Sequence, residues 1–464
     1  MLRFFRINDP YRLIGLLIIL ILLALPFFID PIAVTLVELR SMVIGEAVRS
    51  GKLMYIQVYD STAPLAAAIF GLVDWIFGRS LVARHSLSLL IIFFQSSFFA
   101  IVLIVNKAYN DSSYVPALIF GLLCFLSFDF LSFSPELLAS TFLLLALNNL
   151  FKEIEFRNQR DENLLSLGVY LGLATLLVFS YSVFLLATLF ILISFTRIDI
   201  RKGLLLLVGF GLPHGMLITL YFFWGNTVEL WQNYYLPNIS IGGASLISAK
   251  SLFTLGIVPI IYFVFSMFML NREAHFTKYQ SQLFQVIFLW LVVAVIHIFI
   301  VRDRSPQSLI IIVPSLSYLV SHYLLLIRRK ALAELMLWLL LISLVSVNLL
   351  TRYDFLKRVN FEAMFPKDSP YEKLIKDKHV MMLCADEGIY RQNKLAGYFP
   401  DWSLSASVFE EPDYYENIIL IDEAFRTDPP EIIVDPKDLM KKIFHRIPRI
   451  KPLYKKEGDL YRRI

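Results

Sequence analysis

The chain has 464 residues, of which 57% are hydrophobic and only 17% are charged, with 40 Phe, 22 Tyr and 6 Trp. Soluble domains have roughly 45–50% apolar and about 25% charged residues, so this composition excludes a soluble enzyme, a disordered chain and a disulfide scaffold. The net charge of +5 comes from basic residues scattered among apolar segments, which argues against nucleic-acid binding. The composition predicts a helical protein that crosses a membrane many times.

The first apolar run begins directly behind three arginines. Arg3, Arg6 and Arg12 precede the run 13–28, and no small-residue cleavage site follows it. This pattern is typical of an uncleaved first transmembrane helix whose N-terminus is held in the cytoplasm.

Hydropathy predicts eleven transmembrane spans, each near the roughly 17–25 residues that a helix needs to cross a bilayer. The segment 63–77 is ambiguous because it is short, contains Asp74 and ends at Gly78-Arg79. If it does not cross, most Lys and Arg of the connecting loops lie on the side of the N-terminus, as the positive-inside rule requires. The chain is then a multi-pass protein whose loop 30–83 and C-terminal tail lie outside. The predicted spans are 11–29, 84–106, 113–131, 135–151, 163–179, 181–196, 203–224, 252–270, 281–301, 307–327 and 331–350.

The tail 351–464 differs in composition from the rest of the chain. It has mixed charges, several prolines and short apolar runs bounded by turn residues, a pattern typical of buried strands. The predicted fold class is therefore mainly α, a transmembrane helical bundle with a small extracytoplasmic α/β domain at the C-terminus. The expected domains are 1–350, including the loop 30–83, and 351–464. The predicted strands are 379–384, 418–421 and 431–434, and the predicted helix is 437–444.

Several short motifs follow the first span in a fixed order. They are Gly51, Tyr59-Asp60, Pro64-Leu65, Phe77-Gly78 and Arg84, and later the segment 305–316 and the tail segment 429–435. In this order and spacing the chain resembles the GT-C superfamily of membrane glycosyltransferases, in particular the glycosyltransferase-39 and aminoarabinose-transferase-like branch. The resemblance covers most of the chain in outline.

The resemblance implies a bacterial inner-membrane enzyme with a periplasmic C-terminal domain. It would move a sugar from a polyprenyl-phosphate-linked donor to an extracytoplasmic acceptor, and its partners would be that sugar lipid and the membrane. One position departs from the family pattern, because the family's catalytic acid falls on Val37. A catalytically inactive GT-C-like scaffold, bound to an envelope protein partner, is therefore the main alternative. A transporter is less favoured, since the spans lack paired charges at mid-depth.

Three acids of the outer loop are candidates for the catalytic carboxylate: Glu38, Asp30 and Asp60. Sugar transfer with inversion requires a base that deprotonates or orients the acceptor as it attacks the anomeric carbon. Glu38 is the first choice for the base because it is adjacent to Val37, and Asp30 is the second because it directly follows the first span. Asp60, which precedes Pro64-Leu65, suits loop positioning or metal contact better than proton transfer. Each also fits an ordinary solvated acid of a loop.

Four further residues are candidates for substrate binding: Arg302, Arg304, Arg40 and Glu136. Arg302 and Arg304 lie outside against the trend of positive charge, and a guanidinium suits bidentate phosphate contact. The same pair also fits side chains that reach lipid head groups, and Glu136 fits an ordinary helix start. A divalent metal is the one cofactor that the chemistry admits, and no His, Glu and Cys spacing predicts ligands for it.

Overall fold

The structure is a computed structural model that describes residues 1–155, 160–196, 198–239, 245–301, 304–353, 355–356 and 358–464. The described residues are mainly helical, as the composition predicts. Their α-helices are α1 (Leu2–Phe5), α2 (Arg12–Ile29), α3 (Leu36–Arg49), α4 (Pro64–Phe77), α5 (Leu81–Val105), α6 (Val115–Leu123), α7 (Pro135–Ile154), α8 (Asp161–Thr175), α9 (Val183–Thr196), α10 (Ile200–Phe223), α11 (Thr227–Leu230), α12 (Leu236–Ile239), α13 (Ala249–Glu273), α14 (Lys278–Ile300), α15 (Val313–Leu326), α16 (Lys330–Arg352), α17 (Trp402–Glu410), α18 (Tyr415–Thr427) and α19 (Met440–Arg446).

A small five-stranded sheet lies in the tail, and its strands have the order β2-β1-β3-β5-β4. The central strand β1 pairs in parallel with β2 and β3, while β5 is antiparallel to both β3 and β4. This confirms the small α/β domain predicted at the C-terminus. The strands are β1 (His379–Met382), β2 (Lys394–Leu395), β3 (Ile432–Val434), β4 (Tyr454–Glu457) and β5 (Leu460–Arg463).

Nine helices among the described residues are long and apolar enough to cross a membrane. They correspond to nine of the eleven predicted spans. Helix α4 is shorter, with 14 residues, and carries a buried Asp74, so its length is below that of an ordinary span. The nine helices are Arg12–Ile29, Leu81–Val105, Pro135–Ile154, Phe179–Thr196, Ile200–Phe223, Ala249–Glu273, Lys278–Ile300, Pro306–Leu326 and Lys330–Arg352.

The other two predicted spans, 113–131 and 163–179, correspond to shorter helices. Helix α6 has nine residues, all of them buried in the protein, and a 3₁₀ turn at Phe128–Leu131 follows it. Helix α8 has 15 residues and ends at Thr175. At 1.5 Å per residue neither helix reaches the roughly 30 Å of a hydrocarbon core.

By internal contacts the described chain forms two compact units. The first comprises Met1–Ile32, Leu81–Met216 and Ile241–Ala363, and the second comprises Ala33–Ser80, Leu217–Ser240 and Met364–Ile464. The loop between the first two spans therefore groups with the C-terminal tail, although more than 280 residues separate them in the sequence. The division expected from composition placed that loop with the spans.

Within the first unit, helices α8 and α10 pack at van der Waals contact of their backbones. A Cβ atom added at Gly168 would collide with the Leu206 carbonyl, and one added at Gly209 would collide with the Leu165 carbonyl. Small residues at such crossings allow the close packing on which helix association in a membrane depends.

Within the second unit, α3 and α4 both lie in the loop 30–83, and they pack against each other through glycines. A Cβ added at Gly45 would lie 2.7 Å from the Phe70 carbonyl oxygen, and one added at Gly71 would lie 2.7 Å from Val48 Cγ1. An ion pair from Arg49 Nε to the buried Asp74 carboxylate, at 3.1 Å, joins the same two helices.

The core of the C-terminal sheet includes a segment that was predicted as a strand and is helical. Residues 418–421 lie in α18, where Ile421, Ala424 and Phe425 are buried in the spacing of one helix face. They pack with Met381 of β1 and Ile433 of β3. The prediction was wrong because a short apolar run fits either a strand or a buried helix turn. The strands predicted at 379–384 and 431–434 and the helix at 437–444 are confirmed by β1, β3 and α19.

Candidate functional site

The loop 51–62 in the second unit is fixed from several sides. The backbone N–H of Tyr59 donates to the Tyr398 carbonyl at 2.7 Å, and the Tyr59 and Phe399 rings lie 5.6 Å apart. Lys52 Nζ donates to the Gly397 carbonyl at 2.8 Å and pairs with Asp428 at 2.5 Å. Residues of the C-terminal tail thus determine where this loop lies.

A second group of contacts comes from the segment 217–239. Asn233 Nδ2 donates to the Tyr55 carbonyl at 2.7 Å, and Asn238 Nδ2 donates to the Ser61 carbonyl at 2.9 Å. Tyr55 is fully buried and adopts a left-handed φ of 67°, which is unfavourable for a bulky residue unless its surroundings impose it. Its hydroxyl donates to the Thr62 carbonyl at 2.6 Å. The loop is therefore held in one conformation before any ligand binds.

Asp60 is the candidate acid that this loop carries, and it is 8% exposed. Its Oδ1 accepts the Thr62 backbone N–H at 2.7 Å. The pKa of Asp60 is raised to about 6, mainly by burial and also by the Asp401 carboxylate, and these effects are partly offset by the Thr62 hydrogen bonds and the Arg40 guanidinium. A carboxyl group that titrates near neutral pH is suited to proton transfer.

Glu38 has a structural partner in its own helix. Its Oε2 accepts hydrogen bonds from the Thr35 backbone N–H at 3.0 Å and the Thr35 hydroxyl at 2.9 Å, while Thr35 Oγ1 accepts the Glu38 N–H. These contacts form a capping box that starts α3. Glu38 is 3% exposed, so it contributes to the fold of α3 whatever else it does.

Arg40 lies two residues further along α3 and forms an ion pair with the tail. Its Nε and Nη2 donate to the two carboxylate oxygens of Glu387, both at 2.7 Å. This bidentate geometry is the strongest form of such a pair. Arg40 would have to share or release Glu387 in order to bind a phosphate.

Asp30 belongs to the first unit and lies beside the last span. The guanidinium of Arg352 donates to the Asp30 backbone carbonyl and lies 3.3 Å from its carboxylate. The Arg352 side chain is 2% exposed and stacks on Phe27 at 5.0 Å, whereas the Asp30 side chain is 66% exposed. The pair ties the C-terminal ends of α2 and α16 together.

Arg304, also in the first unit, acts at a helix end. Its Nε and Nη2 donate to the backbone carbonyls of Ile298 and Phe299, at 2.9 and 2.8 Å. These groups are among the unsatisfied carbonyls that end α14, and a cation there is favoured by the helix dipole. Arg302 lies outside the described residues.

Glu136 lies in the first turn of α7, after the N-cap Ser134, whose hydroxyl oxygen accepts the Leu137 N–H. The nearby turn that contains Asp129 is fixed by Gln307. The Gln307 backbone N–H donates to the Asp129 carboxylate, and its side-chain amide donates to the Asp129 carbonyl, both at 3.0 Å. Within the first unit, these polar groups serve to join the turn 128–132 to the start of the eighth membrane helix, Pro306–Leu326.

No group of three or more His, Cys, Asp or Glu side chains is placed to hold a metal ion in the described parts of the chain. No step below depends on a metal ion. His214 is hydrogen-bonded to Thr175 at 2.7 Å, and His297 is hydrogen-bonded to Ser180 at 2.9 Å.

An apolar cleft of about 320 Å³ lies within the segment 217–239. Exposed aromatic side chains occupy the same segment, among them Phe222, Phe223 and Trp231. Aromatic side chains of this kind are enriched where a membrane meets water. The cleft is lined by Ile218, Thr227, Val228, Leu230, Trp231, Gln232 and Tyr235.

Two residues that act on the candidates Asp60 and Arg40 could not be identified from the sequence, namely Asp401 and Glu387. They are separated from Asp60 and Arg40 by more than 340 residues in each case. Their short motifs resemble an ordinary helix N-cap and an ordinary turn, so only the folded chain associates them with the site.

Residues 62–353 match the family DUF6427, which is described as a family of unknown function. The chain belongs to this family. No curated protein matches the chain significantly. Among solved structures, the chain is similar to ArnT from Cupriavidus metallidurans bound to undecaprenyl phosphate, with a TM-score of 0.57 and 11% sequence identity. The similarity covers 96% of this chain and 97% of that chain. This DUF6427 protein therefore has an ArnT-like fold, as the sequence resemblance implied.

Proposed function

We propose that this protein is a glycosyltransferase of the GT-C type in a bacterial inner membrane, with its C-terminal domain in the periplasm. It would transfer a sugar from a polyprenyl-phosphate carrier to an extracytoplasmic acceptor. The observation that carries the proposal is the likeness, along nearly the whole chain, to a protein whose structure contains undecaprenyl phosphate. Since a fold hosts more than one function, the candidate residues must supply the remaining support.

Asp60 is the residue that we assign to proton transfer. Its carboxylate would accept the proton of the acceptor hydroxyl as the acceptor oxygen bonds to the anomeric carbon. The bond from that carbon to the carrier phosphate breaks, and its electron pair leaves with the phosphate. Burial raises the pKa of Asp60 to about 6, and a carboxylate with a raised pKa is a better proton acceptor near neutral pH. Glu38 is a second choice, because its Oε2 already accepts two hydrogen bonds.

The carrier phosphate needs cations, and we assign this role to the arginines of the outer regions. Arg302 and Arg304 are the first candidates, and Arg40 is the alternative that would exchange Glu387 for the phosphate. We assign Glu136 to the acceptor, because a carboxylate accepts hydrogen bonds from hydroxyl groups. The apolar cleft beside Trp231 offers the prenyl chain an uncharged surface.

The proposal is tested with the full-length protein in lipid nanodiscs. In native mass spectrometry the protein should retain undecaprenyl phosphate but should not retain undecaprenol, which lacks the phosphate. Incubation with lipid-linked sugars extracted from the source bacterium should release free undecaprenyl phosphate, and Asp60→Asn should slow this release by about 10²–10⁴-fold. Equal retention of the two lipids together with no release would refute the proposal.

One observation favours the inactive scaffold as a second candidate. The position of the catalytic acid in the GT-C pattern falls on Val37, and the neighbouring Glu38 is engaged in the capping box of α3. A triple variant, Asp30→Asn with Glu38→Gln and Asp60→Asn, separates the two candidates. If this variant restores the natural phenotype of a deletion strain as well as the natural chain does, the protein acts through an envelope partner and not by sugar transfer.

A further inference from the structure

The carboxylate of Asp60 is held by the peptide group that joins Ser61 to Thr62. The Thr62 N–H of this group donates to Asp60 Oδ1 at 2.7 Å. The Ser61 carbonyl of the same group accepts the side-chain amide of Asn238 at 2.9 Å. Because a trans peptide group is planar, with its carbonyl and its N–H pointing in opposite directions, a contact that fixes the carbonyl also fixes the N–H. Asn238 and the Asp60 carboxylate therefore contact the two ends of one rigid group.

The side-chain amide of Asn238 has a defined orientation. Its Nδ2 donates to the Ser61 carbonyl and also to the Tyr234 carbonyl, at 2.8 Å, one helical turn earlier in the same segment. Since carbonyl oxygens only accept hydrogen bonds, the nitrogen of the amide and not its oxygen must face both of them. Tyr234 is fully buried, and its ring stacks on the ring of Tyr55 at 5.5 Å. The donor that reaches Ser61 is therefore anchored to a tightly packed part of the second unit.

The following peptide group, which joins Thr62 to Ala63, is held by a different side chain. The Tyr55 hydroxyl donates to the Thr62 carbonyl at 2.6 Å. Burial raises the pKa of this hydroxyl well above its ordinary value, so the hydroxyl keeps its proton and remains a donor at neutral pH. Both peptide groups that flank Thr62 are thus fixed, one by Asn238 and one by Tyr55.

We propose that Asn238 is a positioning residue for Asp60, which directs the Thr62 N–H at the Asp60 carboxylate and so holds the base in one orientation. Tyr55 supports the same arrangement through the Thr62 carbonyl. This inference deepens the proposed function and rests on it, since Asp60 is the base in that proposal. A displacement of about 1 Å in a catalytic group can slow a reaction by about 10²-fold, so the orientation of Asp60 is a property that the rate depends on.

Asn233 provides a matched control. It lies in the same segment 217–239, and its Nδ2 donates to the Tyr55 carbonyl of the same loop at 2.7 Å. The two asparagines make the same kind of hydrogen bond between the same two segments. The peptide group that Asn233 contacts joins Tyr55 to Ile56, however, and is not the one that donates to Asp60. Both Asn233→Ala and Asn238→Ala should lower stability, but Asn238→Ala alone should change the properties of Asp60.

The first measurement is the titration of Asp60 in the full-length protein in lipid nanodiscs. Thermal stability is measured from pH 4 to pH 8 for each chain, with and without Asp60→Asn, and the difference isolates Asp60. Because the pKa of Asp60 is raised to about 6 in the folded protein, its stabilising contribution is complete below about pH 4 and is lost as the pH rises through about 6. The Thr62 N–H favours the charged form of Asp60, so its loss raises the pKa further. Asn238→Ala should move the midpoint to higher pH by roughly half to one unit, and Asn233→Ala should leave it in place.

The other ionisable groups near Asp60 are the same in both variants. They are Arg40 of α3, Asp401 of the tail, Tyr55 of the same loop and Glu229 of the segment 217–239, which acts on the neighbouring Tyr59. A difference in midpoint between the two asparagine variants therefore does not come from the loss of a charge.

The second measurement is the release of undecaprenyl phosphate at pH 8, where Asp60 is mainly ionised in every chain. Asn238→Ala should lower kcat by about 10- to 100-fold and change KM for the lipid-linked sugar by less than about threefold. Asn233→Ala should keep kcat within about threefold of the natural value. Tyr55→Phe removes the hydroxyl but keeps the stacked ring, and it should shift the midpoint in the same direction as Asn238→Ala. It takes the place of Asn238→Ala if that variant does not fold.

The outcomes separate this inference from the proposed function. Equal midpoints in Asn238→Ala and Asn233→Ala, or a shift to lower pH in Asn238→Ala, would overturn the inference. If the midpoint moves to higher pH as expected but the natural chain releases no undecaprenyl phosphate, the proposed function fails and the role of Asn238 in fixing Asp60 stands. If release depends on Asp60 while the two asparagine variants behave alike, the proposed function stands and the role of Asn238 is wrong.

Discussion

Arg352 and Asp30 form an unequal ion pair, in which the arginine side chain is 2% exposed and the aspartate side chain is 66% exposed. The arginine also donates to the Asp30 backbone carbonyl and stacks on Phe27. The two residues of this pair therefore contribute differently to the stability of the protein. Replacing each of them should lower the free energy of unfolding by a different amount.

The first prediction concerns this inequality. Asp30→Asn should lower the free energy of unfolding by less than about 1 kcal/mol, because an exposed carboxylate gains little from an ion pair. Arg352→Gln should cost about 1–3 kcal/mol, because it leaves the carbonyl at the end of α2 without its donor. Denaturation of both variants in the same detergent checks the difference. Equal losses would mean that the ion pair with the carboxylate provides the stabilisation and that the contact with the carbonyl adds nothing to it.

The second prediction concerns Glu38. Glu38→Gln should leave stability within about 0.5 kcal/mol of the natural chain, because glutamine also completes a capping box. Glu38→Ala should lose about 0.5–2 kcal/mol. If Asp60 is the base, undecaprenyl phosphate release by Glu38→Gln should stay within about threefold of the natural rate, well short of the 10²–10⁴-fold expected for loss of a base. A loss of release with unchanged stability would instead assign the base to Glu38.

The third prediction concerns the glycine contact between α3 and α4. Gly45→Ala places a Cβ 2.7 Å from the Phe70 carbonyl oxygen, so it should destabilise the protein by about 1–3 kcal/mol despite the better helix propensity of alanine. Gly211→Ala is the matched control in α10, since nothing lies within 4 Å of its added Cβ. That variant should be neutral or slightly more stable. Equal changes of the melting temperature in the two variants would show that α3 and α4 separate easily.

The fourth prediction distinguishes a helix from a strand at residues 415–427. Ile421 is fully buried, while Ile419 is 51% exposed. Ile421→Asp should therefore cost at least about 3 kcal/mol, whereas Ile419→Asp should stay within about 0.5 kcal/mol. In a strand these positions would share a face, so the two variants would then be equally damaging. Urea unfolding of the full chain measures both.

The fifth prediction is the topology. The N-terminus should be cytoplasmic and residues 351–464 should be outside, as the distribution of Lys and Arg requires. Alkaline phosphatase fused after Ile464 should be active in bacteria, and green fluorescent protein fused there should not fluoresce. The reverse pattern would place the C-terminal sheet in the cytoplasm and would exclude a periplasmic acceptor.

The sequence predicts the fold class of this protein well. It predicts the type and length of an element less well where two environments, such as lipid and the protein interior, select the same apolar residues. The run 113–131 is as apolar as a span, yet its helix α6 has only nine residues, all of them buried in the protein. The run 418–421 is as apolar as a strand because α18 lies on the sheet. Periodicity over such short windows cannot separate these cases.

The candidate site shows a different limit. The acids of the outer loop could be selected from their order along the chain, since a base must lie where the carrier presents its phosphate. The residues that set their properties could not, because Asp401 acts on Asp60 and Glu387 acts on Arg40 across hundreds of intervening residues. Long-range pairing of this kind leaves no local pattern in a single sequence.

The contact of Lys52 with Asp428 spans 376 residues, and this has a consequence for biosynthesis. The loop that carries Asp60 emerges from the ribosome long before the tail residues that hold it. During synthesis the loop therefore lacks its contacts with the tail until the tail has been translated. A chain that terminates before residue 428 can insert its helices and still lack a finished loop, so premature termination produces a membrane-integrated but incomplete protein.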